Sequence, residues 1–392
     1  MKIVCASSDL KSQIALVSRV VPSRPEPLVL GNILLVADEI NQKITLTAFD
    51  GSLGIATSFQ GEVLEEGIVA LPAKLLSDIV SRIGELEITL YCDTEAADNF
   101  VTTLTAGSSK LQINGMDGSE FPELPTVNNA HAISLPVAII QESLKSCLFA
   151  ASTELSKQVL TGIHVAGSNE ENVLEDSWLE FAATDSHRLA VVRAFLEDDT
   201  ENALSPDILP KLENLGVTIP ARALRELEKI IEGQAEIKMR YDESQIIFEA
   251  GSKILTTLRL TGAYPPYERL IPVDFMRTIV CDRKDLIGSL ELVSVLAQKN
   301  NIVKFSINSG SEELTLSVDT PDVGNAKQSL DAEVIGEDLE IAFNIKYFME
   351  GLKAIPAQEV KIELNEWNQP VILSPLSGLK VTYLVMPVQI RG

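Results

Sequence analysis

The chain has 392 residues, 45% hydrophobic and 22% charged, an ordinary globular composition with length enough for two to four domains. Its 32 basic residues face 56 acidic ones, a net charge of −24. That balance excludes broad adhesion to nucleic acid, so any surface meant for a phosphate backbone has to be local.

The N-terminus, Met1-Lys2-Ile3-Val4-Cys5, turns polar at Ser7-Ser8-Asp9, too soon for a signal peptide. No stretch reaches the roughly 18 apolar residues of a membrane span. Cys5, Cys92, Cys147 and Cys281 are scattered without a CxxC pair or disulfide spacing, as in a reducing cytoplasm.

Three matching blocks follow one another. Each opens with an apolar stripe at offsets 0, 4, 7 and 11, one face of a helix: Leu10, Ile14, Val17, Val21; then Ile140, Leu144, Cys147, Ala151; then Leu286, Leu290, Val293, Ala297. Strand-like alternations come next. In the first block they are 32–36 and 44–50, in the second 162–165 and 179–185, in the third 303–307 and 314–319; each second strand ends on an aspartate (Asp50, Asp185, Asp319) where a turn is expected.

A second helix then begins at Pro72 or Pro220, where a first helical turn tolerates proline, or after Asn344, a candidate N-cap. Its stripe recurs in Leu76, Ile79, Val80, Ile83 and in Ile345, Phe348, Met349, Leu352. Closing strands are expected at 85–92, 236–241 and 359–364. The predicted fold is α+β, three tandem repeats of helix–strands–helix–strands with extents 1–128, 129–272 and 273–392. Periodicity by itself is equally compatible with three duplicated domains of another purpose.

The six predicted helices (8–21, 72–83, 136–152, 220–232, 284–299, 345–354) hold twelve basic and nine acidic residues, a balance of +3 within a chain of −24. Helices gathered on one side would make that side mildly positive, enough to hold a phosphate backbone without reading bases. Exposed helix faces are also commonly rich in Lys and Arg, and this segregation alone does not separate the two readings.

Catalytic constellations are wanting. Of three histidines, His131, His164 and His187, only the last has Ser and Asp beside it, in Thr184-Asp185-Ser186-His187-Arg188. In an extended segment Asp185 and His187 point to one face and Ser186 to the other, which defeats a triad. The acidic groups Glu65-Glu66, Glu197-Asp198-Asp199 and Glu312-Glu313 read as solvated turns. No spacing fits a metal site, a GxxxxGK[ST] loop or a GxGxxG fingerprint. No catalytic residue, cofactor or metal is expected, and a missed hydrolase or metal-dependent nuclease, or a scaffold that binds proteins only, remain the rival classes.

Four segments converge on a family: Leu30-Gly31-Asn32-Ile33-Leu34-Leu35, Ala183-Thr184-Asp185-Ser186-His187-Arg188-Leu189-Ala190, Tyr264-Pro265-Pro266-Tyr267-Glu268-Arg269-Leu270-Ile271-Pro272 and Tyr383-Leu384-Val385-Met386-Pro387-Val388. In this order within a triple repeat, the chain resembles the bacterial sliding clamp, the β subunit of DNA polymerase III, over essentially its whole length. The resemblance implies a DNA clamp fold and a non-catalytic processivity factor for the polymerase III holoenzyme. It implies a head-to-tail homodimer ring with helices lining a central hole around double-stranded DNA, held without regard to sequence. Leu111 and Ile113 of one chain would meet Val295 and Leu296 of the next, and Arg24, Lys74 and Arg222 would face the duplex.

It further implies a peptide-binding pocket between the second and third domains, formed by Thr184, His187, Arg188, Leu189, Pro265, Leu270, Leu384, Val385, Met386 and Pro387. Aliphatic residues and a soft Met suit peptide capture, with Arg188 and His187 orienting polar groups at the edge. The implied partners are the polymerase III catalytic subunit, the clamp-loading ATPase and repair polymerases, ligase or mismatch-repair proteins. Three positions depart from the pattern: Arg391-Gly392 extend past the usual end, Gln389 stands where a basic residue is frequent, and Pro266 replaces a frequent Asp.

Overall fold

The same run of elements occurs three times in the computed structural model, which describes residues 1–93, 100–127, 131–168, 178–195, 215–297, 301–310, 312–320 and 323–389. A strand leads into a first helix, further strands into a second helix, and three strands close each block, followed in the first by the two-residue strand Met116–Asp117. Among the described residues the α-helices are α1 (Ser7–Val17), α2 (Ala73–Arg82), α3 (Val137–Cys147), α4 (Ala221–Ile230), α5 (Arg283–Ser294) and α6 (Ile345–Ala354). All strand pairs among the described residues are antiparallel, both those joined by short turns and those between strands remote in sequence.

The first helix of each block is shorter than its apolar stripe. α1 and α3 tighten into 3-10 turns at Ser18–Val20 and Leu148–Ala150. A three-residue turn moves the stripe back by one, so Val20 rather than Val21 is the buried residue at the end of α1. Leu10, Ile14, Val17, Ile140, Leu144, Cys147, Leu286, Leu290 and Val293 are all buried as the spacing predicts. Pro72 and Pro220 stand one place earlier than expected, as the last residues of the strands Gly67–Pro72 and Gly216–Pro220. Asn344 caps α6, its side-chain oxygen accepting from the backbone N–H of Lys346 (3.0 Å) and Tyr347 (3.4 Å). The predicted residue Lys299 and the acidic run 197–199 fall outside the described residues.

By its contacts the chain divides into two compact units, 1–137 with 222–259, and 138–221 with 260–392. The first unit holds a nine-stranded sheet in the order Met116–Asp117, Gly67–Pro72, Asn32–Asp38, Lys43–Phe49, Leu53–Gln60, Lys253–Leu258, Gln245–Ala250, Glu236–Tyr241, His131–Pro136. It also holds a five-stranded sheet ending on Ser109–Asn114, and α1 packs on α2 and on the strands Lys43–Phe49 and Leu53–Gln60. The second unit repeats the plan: a nine-stranded sheet running Gly216–Pro220, Gly162–Ser168, Trp178–Thr184, Arg188–Phe195, Lys380–Val385, Val371–Pro375, Glu359–Leu364, Arg277–Asp282, Glu333–Ile335, and a four-stranded sheet that begins on Gly324–Asp331. There α5 packs on α6 and on the strands Glu313–Thr320 and Gly324–Asp331.

All four cysteines are buried and none forms a disulfide. Burial, with Asp9 and Asp282 close by, pushes the Cys5 and Cys281 thiols up to about 12, so neither is a reactive thiolate at neutral pH.

Candidate functional site

Residues 184–188 form a tight turn, not the extended segment expected from sequence. Ser186 sits at φ +80°, and the Asp185 carboxylate accepts from the backbone N–H of His187 (3.0 Å) and Arg188 (3.2 Å). The Thr184 hydroxyl donates to the Arg188 carbonyl at 2.6 Å and accepts from the Ser186 N–H at 3.1 Å. Short polar side chains that bond backbone two and three residues on make such turns, and Asp50 does the same for Ser52 and Leu53 (2.8 Å each). Asp319 differs, lying inside the strand Glu313–Thr320. The second Asp185 oxygen accepts from Arg188 Nε at 3.0 Å, and His187 stacks on Tyr347 with ring centroids 5.8 Å apart. Asp185 and His187 are thus committed to a turn and a ring stack.

Arg188 corrects the expected rim role. Its side chain is only 7% exposed, and each guanidinium nitrogen has an acceptor: Asp185, Glu350 and the Phe149 carbonyl (2.9 Å). The guanidinium carbon lies 4.6 Å from the Tyr347 ring centre and 5.2 Å from that of Phe149. Burial works against its charge, but the hydrogen bond and charge of Glu350, with Asp185 behind, outweigh it and hold the pKa above the ordinary arginine value. Arg188 therefore braces the site from within, leaving the exposed His187 at the surface.

The apolar residues sort by depth. Leu189 and Leu384 pair across adjacent strands and are buried with Ala182, Val191, Tyr267 and Ile372. Val385 is buried opposite Arg188. Above this floor Leu270 is 55% and Met386 39% exposed, while Pro265 and Pro387 are half-buried. The chain end is tied down: the Met386 N–H donates to the His187 carbonyl (3.1 Å) and the Val388 N–H to the Ala342 carbonyl (2.8 Å). The residues assigned to a pocket between two domains thus belong to one compact unit, with the join made inside a continuous sheet.

Arg24 and Lys74 are exposed cations of the first unit. Arg222, at the start of α4, instead pairs with Asp50 at 2.5 Å. Asp50 is half-buried in its turn; burial would raise its pKa, but the Leu53 and Ser52 hydrogen bonds and Arg222 together hold it below the usual carboxylate value. Nearby, Arg19 bonds Glu226 of α4. On the five-stranded sheet Leu111 is partly exposed whereas Ile113, 1% exposed, is already packed within its own unit. Val295 is 59% exposed, and Leu296 is half-buried with its carbonyl accepting from the Thr320 hydroxyl at 2.6 Å. No set of His, Cys, Asp or Glu able to hold a metal ion occurs among the described residues, and none of their helices is long and apolar enough to cross a membrane.

Three family profiles match in order along the chain: the DNA polymerase III beta subunit N-terminal domain over residues 1–125, the central domain over 134–266 and the C-terminal domain over 268–389. The chain belongs to the DNA polymerase III beta subunit family. It is 50% identical to the beta sliding clamp of Synechocystis sp. and 46% identical to that of Synechococcus elongatus, each over the full length of both chains. Among solved structures it is similar to the Bacillus subtilis DNA polymerase sliding clamp (25% identity, TM-score 0.88) and to a Bartonella birtlesii sliding clamp bound to griselimycin (29% identity, TM-score 0.87), each covering all of both chains. The family's members are DNA sliding clamps, non-catalytic parts of the replication machinery, and the α+β clamp fold described above is theirs.

Several participants escaped the sequence reading: Phe149, Tyr347, Glu350 and Tyr383, which surround Arg188. One signal was present. Counting from the paired segments Lys74, Arg222 and Lys346, the acidic residues Asp78, Glu226 and Glu350 all fall four places on, and each meets an arginine: Asp78 its helix neighbour Arg82, the other two the remote Arg19 and Arg188.

Proposed function

We propose that this chain closes with a second copy, head to tail, into a ring around duplex DNA and there tethers the replicative polymerase in the cytoplasm. The way each internal join is made carries the reading. Leu53–Gln60 pairs with Lys253–Leu258, and Arg188–Phe195 pairs with Lys380–Val385. In both, the third strand after one block's first helix takes the last of the three strands after the next block's second helix. That rule leaves over Gly324–Asp331 and Ser109–Asn114, each at an open sheet edge. Open edges invite strand addition. A second copy supplies the missing member at both ends, so that sheets of four and five become nine, and a head-to-tail contact closes instead of propagating. Leu111 and Val295 supply apolar surface at this closure, with Ile113 and Leu296 supporting them from behind.

The register follows from the repeat. Gly54 and Ala326 are counterparts, each facing the residue before its block's aspartate (Phe49 and Val318). Gln112 and Thr256 are counterparts, each six residues past the alanine (Ala106 and Ala250) that precedes a matching two-residue turn. Since Gly54 faces Thr256, Gln112 of one copy faces Ala326 of the other. A Gln112→Cys, Ala326→Cys chain is expected to oxidise to covalent dimers. Loaded on a nicked circular plasmid by the clamp loader, these should survive denaturant and leave only when the plasmid is cut. Failure to cross-link, or retention on linear DNA with free ends, defeats the ring.

DNA is held through its backbone by Arg24 and Lys74, with Arg222 contributing less because Asp50 already engages it. Removing Arg24 and Lys74 from both copies should lower the slope of log affinity against log salt by at most about 3.6, whereas Arg222→Ala should lower it by less than about 1. Equal effects from all three would count against the pairing with Asp50.

The site around Leu270, Met386, Leu189 and Leu384 docks short apolar peptides of the polymerase, the clamp loader and repair factors in turn. Griselimycin is the available probe. Met386→Asp and Leu270→Asp should each weaken its binding to this chain by more than about tenfold in calorimetry while sizing still returns a dimer, because a carboxylate on an apolar contact goes unpaired. Unchanged binding by both variants would remove the docking assignment.

A further inference from the structure

We propose that Glu180, Tyr267 and Arg193 form a positioning clamp for the wall of the docking site that carries Pro265 and Leu270; this rests on the docking assignment above. Glu180 lies within the strand Trp178–Thr184 and is buried, yet it is a carboxylate in an otherwise apolar stretch (Leu179, Phe181, Ala182, Ala183). Burying such a charge is unfavourable unless it is paired and hydrogen-bonded. Here it is: one oxygen accepts from the Tyr267 hydroxyl and the other from Arg193 Nε, its cross-strand neighbour. Arg193 is held in turn, its guanidinium 4.8 Å from the centre of the Trp178 ring.

Tyr267 is the first residue of the 3-10 turn Tyr267–Leu270. Of the four residues in that turn it is buried, whereas Glu268, Arg269 and Leu270 are exposed. Its N–H donates to the Pro265 carbonyl at 2.8 Å, so the ring fixes the residue on one side of the wall and begins the turn that presents Leu270 on the other. Tyr264, edge-on to Tyr267 at 5.9 Å, stacks on His164 at 5.0 Å and backs the same segment. A turn with one buried anchor and an exposed leucine depends on that anchor for the leucine's direction. The Glu180 carboxylate sets the anchor's depth, and Arg193 holds the carboxylate's orientation through its Nε–H. None of the three needs to touch a docked peptide, so they are positioning residues.

The test uses the full dimer and griselimycin as probe. Tyr267→Phe and Glu180→Leu should each raise the Kd by about fivefold or more, chiefly through faster dissociation, the size expected when one anchoring hydrogen bond of this kind is lost. Glu180→Gln keeps an acceptor for the Tyr267 hydroxyl and should stay within about twofold of the parent. Amide hydrogen exchange should quicken over residues 267–271 in the free Tyr267→Phe protein and stay unchanged in the strands Trp178–Thr184 and Lys380–Val385, which separates loss of positioning from general loosening. Met386→Asp is the reference arm. If it abolishes binding while Tyr267→Phe and Glu180→Leu bind like the parent, the clamp is overturned and the docking assignment stands. If exchange quickens throughout the unit, the role is structural only and the clamp is again overturned. If Met386→Asp and Leu270→Asp both bind like the parent, the clamp and the docking assignment fall together.

Discussion

Replacing Arg188 with alanine is expected to destabilise the second unit by about 2–3 kcal/mol, read as a lower urea midpoint. Breaking a buried ion pair from one side typically costs about 3–5 kcal/mol because the partner charge is left stranded. The figure is set lower here because Glu350 keeps about a third of its side chain in water and can rehydrate. The loss should be larger than that of Glu350→Gln, since the arginine also serves Asp185 and the Phe149 carbonyl. Combining Arg188→Ala with Glu350→Gln should cost less than the two separately, by about 1 kcal/mol or more, as residues of one network do not add. Strict additivity would mean that the short Arg188–Glu350 bond contributes nothing. Griselimycin affinity should fall with the same substitution, because the turn that presents His187 is built on Asp185 and Arg188.

Gly351→Ala is expected to be of similar size for a different reason. On helix propensity alone the change should stabilise α6 by about 1 kcal/mol. Gly351 is buried, however, and an added methyl would lie inside the van der Waals radius of three Tyr383 ring atoms. That ring is buried beside Phe149 (centroids 5.6 Å apart) and fixed by its hydroxyl, which donates to the Tyr347 carbonyl at 2.7 Å. With no room to retreat, overpacking should outweigh propensity and leave a net loss of about 1–3 kcal/mol. Tyr383→Leu in the same chain should recover part of it. A thermal midpoint at or above the parent's for Gly351→Ala alone would show that the helix moves away more easily than the ring packing implies.

Much of the fold was legible because burial selects residues by period. Five predicted helices lie where the stripes put them and α4 where the segment 217–222 put it, and strands such as Glu236–Tyr241 and Glu359–Leu364 begin and end where the alternation does. Helix ends were less legible, since the stripe continues through 3-10 turns that keep the same face toward the core. Of the residues proposed for docking, the exposed pair Leu270 and Met386 could not be told from Leu189 and Leu384 by composition: all four are apolar, and only the strand pairing fixes their depth. Arg188 illustrates the harder limit. An arginine in a polar turn reads as surface, and the carboxylate and two rings that draw it inward come from Phe149, Tyr347 and Glu350, remote in sequence. Arg222 fails in the opposite way, an exposed cation whose charge is partly answered by Asp50 from another block.

The two nine-stranded sheets have a consequence for anyone cutting the chain. The middle block shares its strands between both units: His131–Pro136, Glu236–Tyr241, Gln245–Ala250 and Lys253–Leu258 go to one, Gly162–Ser168, Trp178–Thr184, Arg188–Phe195 and Gly216–Pro220 to the other. Excised on its own it would carry two raw flanks, Lys253–Leu258 stripped of Leu53–Gln60 and Arg188–Phe195 stripped of Lys380–Val385. A fragment confined to that block should therefore self-associate or precipitate. One that ends after Arg259 keeps the first seam intact but still bares Arg188–Phe195, so it should self-associate through that flank alone.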